Sequence, residues 1–310
     1  MTVLTVTLHP AVDVVLRGPR LRPDDAMRTN VELKICGGKG NNAARALARL
    51  GVAVTATGYQ GGYSGEFAAS QLASEGVTTA FVPCSRPTRT STIVHEEETG
   101  LTYAIYEPGQ WVDEDEVQAL TDCFEHLLAS HRLVLLCGSG QTDILAPLYA
   151  RFIEIARRSG VRCLLDSSGP ALTLGIQARP YLVKSNMEEL SGYLRRDLVT
   201  LADQSEAISA LCKTGIQIAA VSDGANGLLA TNGTESWRGI IRLEHVVNIV
   251  GCGDALLAGM ARAVLDGLPL PEIVRWGVAC GAANTQVEGA GRIDRSTVER
   301  LLPDVQLEKV

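Results

Sequence analysis

No stretch of this chain approaches the roughly 20 uninterrupted apolar residues that a membrane-spanning helix needs. The opening Met1-Thr2-Val3-Leu4-Thr5-Val6-Thr7 also lacks the basic start of a secretion signal. Together these absences predict a cytoplasmic location. The eight cysteines form no Cys-x-x-Cys and no metal-ligand spacing, so they read as small buried hydrophobes in a reducing compartment. Cys36 and Cys252 differ in standing in or beside glycine loops, but no His flanks either one to activate it as a nucleophile. Positive charge is short as well: 28 Lys and Arg against 35 Asp and Glu leave a net charge of −7. That balance argues against a nucleic-acid surface while leaving room for a local basic pocket for phosphate. No internal repeat and no low-complexity linker divides the 310 residues, a length that implies one large domain with an appendage, or two domains.

What is present is glycine in two informative places. The run Asn248-Ile249-Val250-Gly251-Cys252-Gly253-Asp254 leads into the apolar spacing Leu257, Met260, Ala261 and Val264, which predicts a helix from Asp254 to about Asp266. Gly251 and Gly253 let successive N–H groups converge on one point, and the positive end of the helix faces the same point. This is an anion site with a carboxylate beside it, although Asp is also a favoured cap and first-turn residue. The second cluster, Gly37-Gly38-Lys39-Gly40-Asn41-Asn42, again feeds a helix, with Gly51 as its stop. It is not a Walker A loop, because no Ser or Thr follows Lys39, and no Gly-x-Gly-x-x-Gly follows the first strand. Two such loops imply a site with two halves for a polyhydroxylated or anionic ligand.

Between and around these loops, strand and helix alternate. Short apolar runs at Val52 to Thr57, Leu133 to Cys137, Cys163 to Leu165, Tyr181 to Val183 and Ile218 to Ser222 predict buried strands. Glu114 to Ala129 and Leu145 to Ser159 predict helices. The pattern implies an α/β fold with an open, mostly parallel sheet covered by helices on both faces. Asp166, Lys184, Asn186, Ser222 and Gly224 then fall at strand carboxyl ends, where ligands bind in such sheets. Two segments, around 12–36 and 88–108, break the alternation with extended stretches and a hairpin turn at Glu98-Thr99-Gly100.

The pair of glycine loops resembles the two signatures of the ribokinase-like sugar kinases. Thr7-Leu8-His9-Pro10-Ala11-Val12-Asp13 is similar to the opening of their phosphofructokinase-B branch. That branch includes 1-phosphofructokinase, tagatose-6-phosphate kinase and the minor 6-phosphofructokinase. Asp166-Ser167-Ser168-Gly169, Lys184-Ser185-Asn186-Met187-Glu188-Glu189 and Val221-Ser222-Asp223-Gly224-Ala225-Asn226-Gly227 follow in the family's order, so the resemblance spans the chain. It implies one ribokinase-like domain over 1–310, with the two irregular segments forming a small β-sheet lid. It further implies ATP and Mg2+ as cofactors, a monovalent cation such as K+ as a further one, and a homodimer through the lid.

Residue by residue, the resemblance implies Asp254 as the base, with the N–H groups of Gly251, Cys252, Gly253 and Asp254 around the transferring phosphoryl. Asp13, Gly38, Lys39, Asn42, Arg89 and Ser139 are expected on the sugar side. Lys184, Asn186, Ser222, Gly224, Gly227 and Asn284 are expected around the nucleotide, and Glu189 near magnesium. Read alone, Glu188-Glu189 is an acidic helix start and Asn284 a buried helix position. Arg28, Lys39 and Arg89 are the cations available for a resident phosphate.

The departures from the pattern crowd the sugar half. They are His9, Cys36, Ser185, the turn Gly138-Ser139-Gly140-Gln141-Thr142-Asp143, and the complete lack of Lys or Arg from Thr90 to His131. The leading expectation is phosphorylation of fructose 1-phosphate, fructose 6-phosphate or tagatose 6-phosphate. A kinase of an unphosphorylated sugar or nucleoside, and a sugar-binding protein without catalysis, remain as alternatives.

Overall fold

The chain folds around a strand made of its own beginning. In the computed structural model, which describes residues 2–109, 111–140 and 142–310, Gln141 of the expected turn lies outside the described residues. The strands are β1 (Thr2–Thr7), β2 (Ala11–Gly18), β3 (Asn30–Gly37), β4 (Ala53–Gln60), β5 (Thr78–Thr79), β6 (Val82–Pro83), β7 (Arg89–Glu96) and β8 (Thr102–Tyr106). They continue with β9 (Leu133–Cys137), β10 (Arg162–Asp166), β11 (Leu182–Asn186), β12 (Ile218–Ser222), β13 (Leu228–Thr231), β14 (Ser236–Ile240) and β15 (Gln306–Lys309). The large sheet has the order β15-β14-β13-β12-β11-β10-β9-β1-β4-β5, with β6 also on β4. From β12 to β5 every pairing is parallel; β12 to β15 are antiparallel.

Both faces of this sheet are covered, so its strands carry apolar residues without alternation. In β9, Leu133, Leu135 and Cys137 enter the core beneath the helices Lys39–Arg49, Cys252–Leu265 and Leu270–Asn284. Val134 and Leu136 enter the opposite core, where Phe124 and Phe152 stack with ring centroids 4.2 Å apart. The period of two along a strand splits one apolar run between two cores.

β4 and β10 run beyond their expected bounds, and three further elements differ from expectation for identifiable reasons. β11 runs on past Val183 through Lys184 and Ser185, both buried, because Asp166 on the adjacent strand takes up the Lys184 charge. The helix expected from Leu145 begins at Leu148 instead. Pro147 is its N-cap, and Thr142 to Leu148 form turns before it. The helix Cys252–Leu265 is buried on nearly all sides rather than along one stripe, because Leu270–Asn284 closes on its outer face. A Cβ at Gly259 would stand 2.4 Å from the Trp276 carbonyl oxygen, so this close approach requires glycine.

The second sheet, ordered β3-β2-β7-β8, is built from the two irregular segments, with Gly100 at φ +69° in the predicted hairpin turn. β2 and β7 pair in parallel, Asp13 opposite Ser91, and β8 is exposed along its length. The chain enters this sheet directly after β1 and leaves it directly before the helix Lys39–Arg49, which sets its base over the carboxyl end of the large sheet. Among the described residues, no helix is long and apolar enough to cross a membrane.

Candidate active site

Strand order turns outward in both directions from β1, toward β4 on one side and β9 on the other. That reversal opens a crevice at the carboxyl ends. Gly38, at φ +98°, caps a helix that starts at Lys39, one turn earlier than the sequence suggested. Lys39 and Asn42 therefore stand on its first turn.

Lys39 Nζ donates to Asp166 Oδ1 at 3.0 Å and to Glu189 Oε1 at 2.7 Å, and Lys184 Nζ donates to Asp166 Oδ2 at 2.7 Å. Asp166 thus bridges a lysine from the first glycine loop and one from β11. Burial works against the Lys39 ammonium, but Asp166, Glu189 and Asp254 outweigh it and push its pKa up. The same lysines hold the buried Asp166 carboxyl below its ordinary range.

Asp254 lies beside this cluster on the first turn of Cys252–Leu265, whose N-cap Gly251 adopts φ +80°. Asn42 Nδ2 donates to Asp254 Oδ2 at 2.8 Å. Burial, helped by Asp166, raises the Asp254 carboxyl from 3.8 to about 6, against the pull of Lys39, Asn42 and Lys184. Gly253 has a steric reason of its own: a Cβ there would sit 2.9 Å from Lys184 Nζ. Two of the N–H groups expected to face an anion have local acceptors, Cys252 to Ile249 O at 3.4 Å and Asp254 to Gly251 O at 3.1 Å.

At the base of the small sheet, Asp13 packs so tightly under β3 that a Cβ on Gly37 would stand 2.1 Å from its carboxylate. Burial raises the Asp13 carboxyl, offset by a hydrogen bond from Ser91 and by the charges of Arg89 and Arg45. Arg89, at the base of β7, spends Nη1 on Glu107 O at 3.4 Å, while its Nε is buried without an acceptor. Burial and Arg89 lower His9 to about 4, so the imidazole beneath the lid is neutral. Ser139 is half-buried just past β9, next to Gly138, whose N–H donates to Asp166 O at 2.9 Å. Arg28 is exposed on the approach to β3.

The other half is a cleft of about 690 Å³ bordered by Ser222, Gly224, Gly227, Cys252 and Gly253. Its apolar wall comes from Ile249 of the glycine run and from Ile241, Leu243 and Val246, an irregular segment in which no periodicity or motif announces a site. Asn186 and Glu189 form a reciprocal cap on the helix Met187–Leu194: Glu189 N donates to Asn186 Oδ1 at 2.7 Å and Asn186 N to Glu189 Oε2 at 2.9 Å. Asn284 is not in the cleft wall, which at this point is Ala282 and Thr285. Its Nδ2 donates to Val250 O at 2.9 Å and its Oδ1 accepts from Gly291 N at 2.8 Å, so it braces the anion loop from behind.

Burial raises the Cys252 thiol and pushes Cys36 up to about 12, which disfavours the thiolate at both. Sequence reasoning passed over Arg45, although its position three residues after Asn42 puts both on one helix face. It is fully buried against the Asn42 side chain.

Residues 9–296 match the model described as pfkB family carbohydrate kinase. The chain belongs to the pfkB family of carbohydrate kinases. This kinase is 34% identical over 284 residues to 1-phosphofructokinase of Rhodobacter capsulatus, covering 90% of this chain and 89% of that protein. It is 32% identical over 289 residues to the ATP-dependent 6-phosphofructokinase isozyme 2 of Escherichia coli strain K12, covering 93% of each. A crystal structure of phosphofructokinase-2 from Escherichia coli in complex with potassium superposes with a TM-score of 0.90 at 29% identity, over 97% of this chain and 98% of that one.

Proposed function

We infer that this carbohydrate kinase transfers the terminal phosphoryl of ATP to a hydroxyl of a furanose-form hexose phosphate. Fructose 1-phosphate and fructose 6-phosphate are the first substrates to test, and tagatose 6-phosphate the third. The observation that carries the reading is Asp254: a buried carboxylate raised to about 6, held by Asn42, between the lid base and the anion loop. A carboxylate so placed is charged at neutral pH and basic enough to take a proton from a sugar hydroxyl, as phosphoryl transfer requires. A protein that only bound sugar would have no use for a raised carboxylate at this point.

The charges around it support the rest of the reaction. Lys39, Lys184 and the N–H groups near Gly253 offset negative charge on the transferring phosphoryl. Asp13 and Ser139 would hold sugar hydroxyls and the Arg89 guanidinium a resident phosphate, a reading supported by the buried, raised carboxyl of Asp13 and by the cation at the base of β7. The cleft bordered by Ser222, Gly224 and Gly227 has the volume and apolar wall for a nucleotide.

Among the described residues, no three His, Cys, Asp or Glu side chains converge into a metal cage. Magnesium fits nonetheless, because it keeps several waters, rides on phosphate oxygens and needs one or two carboxylates. Glu189 would hold it, and the ion would supply charge neutralisation. The relative crystallised with potassium makes K+ the monovalent cation to test.

We further infer a homodimer through the lid. Val31, Leu101, Tyr103, Ile105 and Tyr106 are exposed there, and an unpaired edge strand with apolar side chains calls for a partner. A steady-state screen of sugars and sugar phosphates with ATP, magnesium and with or without potassium tests the function. Turnover of the phosphorylated hexoses well above that of free sugars is expected. A free sugar or a nucleoside as the best substrate would overturn the assignment.

A further inference from the structure

The base is held by a neighbour that is itself ambiguous. A side-chain amide presents an oxygen on one side and a nitrogen on the other, and rotating it by half a turn would aim Asn42 Oδ1 at Asp254 instead of Nδ2. Oxygen against carboxylate would repel. Something must hold the amide one way round.

Arg45, one turn along the same helix and fully buried, does so. Its Nη1 donates to Asn42 Oδ1 at 3.2 Å. Because a guanidinium has donors only, the amide atom facing it has to be oxygen, which leaves nitrogen for Asp254. With Oδ2 of Asp254 accepting from Asn42, Oδ1 is the oxygen left for the substrate proton.

Arg45 has three further bonds that fix its own position. Nε pairs with Glu75 Oε2 at 2.5 Å, Nη2 donates to Cys36 O at 2.8 Å and Nη1 also to Ala290 O at 2.9 Å. Cys36 belongs to β3 of the lid sheet. Ala290 supports the anion loop so closely that a Cβ on Gly251 would lie 2.3 Å from the Ala290 Cβ. One guanidinium therefore joins the lid strand, the loop behind the anion site and the residue that orients the base.

We propose that Arg45 is a positioning residue: it sets the orientation of the Asn42 amide, and through it the free oxygen of Asp254, in register with the lid strand. This rests on Asp254 being the base, so Asp254→Asn is measured alongside. Loss of the acid limb of the pH profile in that variant is the condition for the base assignment, whatever Arg45 does. The charged groups facing Asp254 are Lys39, Lys184 and Asp166, and they stay unchanged in every variant used.

The experiment compares the acid limb of kcat/KM in the native kinase, Arg45→Met, Asn42→Ala and the double variant, with melting curves for each. Without a fixed donor the carboxylate loses a charge-assisted bond, so Arg45→Met should move the limb up by about one pH unit. Turnover at pH 6 should fall by about fivefold, as the charged fraction of a group moved from about 6 to about 7 drops from one half to about one eleventh. In the Asn42→Ala background Arg45→Met should move the limb no further, because the pair acts as one unit. Arg45→Lys keeps the charge but cannot serve four acceptors at once, so it should shift the limb in the same direction; it also replaces Arg45→Met if that variant does not fold. A lowered melting temperature with an unmoved limb, or shifts that add in the double variant, would overturn the proposal. A limb left in place by Arg45→Lys would do so too, because charge alone would then be sufficient.

Discussion

Replacing Asp254 by Asn should make this kinase more stable while almost abolishing its turnover. The carboxyl stands at about 6 in the folded protein against 3.8 in a model peptide, with burial the main cause and Asp166 the second. A carboxyl raised in this way stabilises the fold while protonated. That contribution is complete below 3.8 and is lost as the pH climbs through about 6. Two units at about 1.4 kcal/mol each amount to ~3 kcal/mol forgone at neutral pH. Asn is neutral, similar in size and retains an oxygen for Asn42 Nδ2, so the variant should recover up to ~3 kcal/mol, read as a melting temperature higher by several degrees.

Turnover should fall by about 10² to 10⁴, the usual loss when a general base is removed. In the native kinase kcat/KM should drop about tenfold between pH 7 and pH 5, because a group titrating near 6 passes from mostly charged to mostly neutral. The assay is steady-state turnover from pH 5 to 8 beside melting curves at pH 4 and pH 7. The stabilisation should shrink at pH 4, where the native carboxyl is itself protonated. A variant that is less stable at pH 7 than the native protein, or that keeps an acid limb near 6, would refute the assignment of the raised carboxyl to Asp254.

Glu189→Gln keeps an oxygen for the helix cap but removes the charge, so half-saturating magnesium should rise several-fold and excess magnesium should restore part of the rate; an unchanged magnesium titration would place the ion elsewhere. Arg89→Ala should raise the Michaelis constant for a hexose phosphate by a factor worth about 1.5 to 3 kcal/mol and leave a neutral sugar nearly unaffected. Equal effects on both would assign Arg89 to the lid rather than to a phosphate. Sedimentation at micromolar concentration should give a dimer, and Ile105→Asp on the exposed lid strand should yield monomer; a native monomer with full activity would remove the lid interface.

The large sheet was legible because parallel strands buried on both faces leave short apolar runs, and β9 and β12 have the bounds those runs predicted. The glycine loops were legible because only glycine permits the φ of +98° at Gly38 and +80° at Gly251. What lay beyond the sequence was whatever depends on partners far along the chain. Lys184 reads as the end of a strand until Asp166, 18 residues away, accepts its charge. Asn284 reads alone as a buried helix position, and only the fold shows that its amide joins Val250 O to Gly291 N. The apolar wall at Ile241, Leu243 and Val246 has no period to detect, because an irregular segment repeats no geometry.

The sequence by itself determined the α/β alternation, the two glycine loops that feed helices and the carboxylate of Asp254 at the start of one of them, since each follows from local patterning and local backbone freedom. Tertiary structure alone decided which oxygen of Asp254 is free, how far its carboxyl is raised, and that Arg45 stands behind Asn42. Desolvation and hydrogen-bond direction belong to the arrangement of several distant segments, and no single segment encodes them.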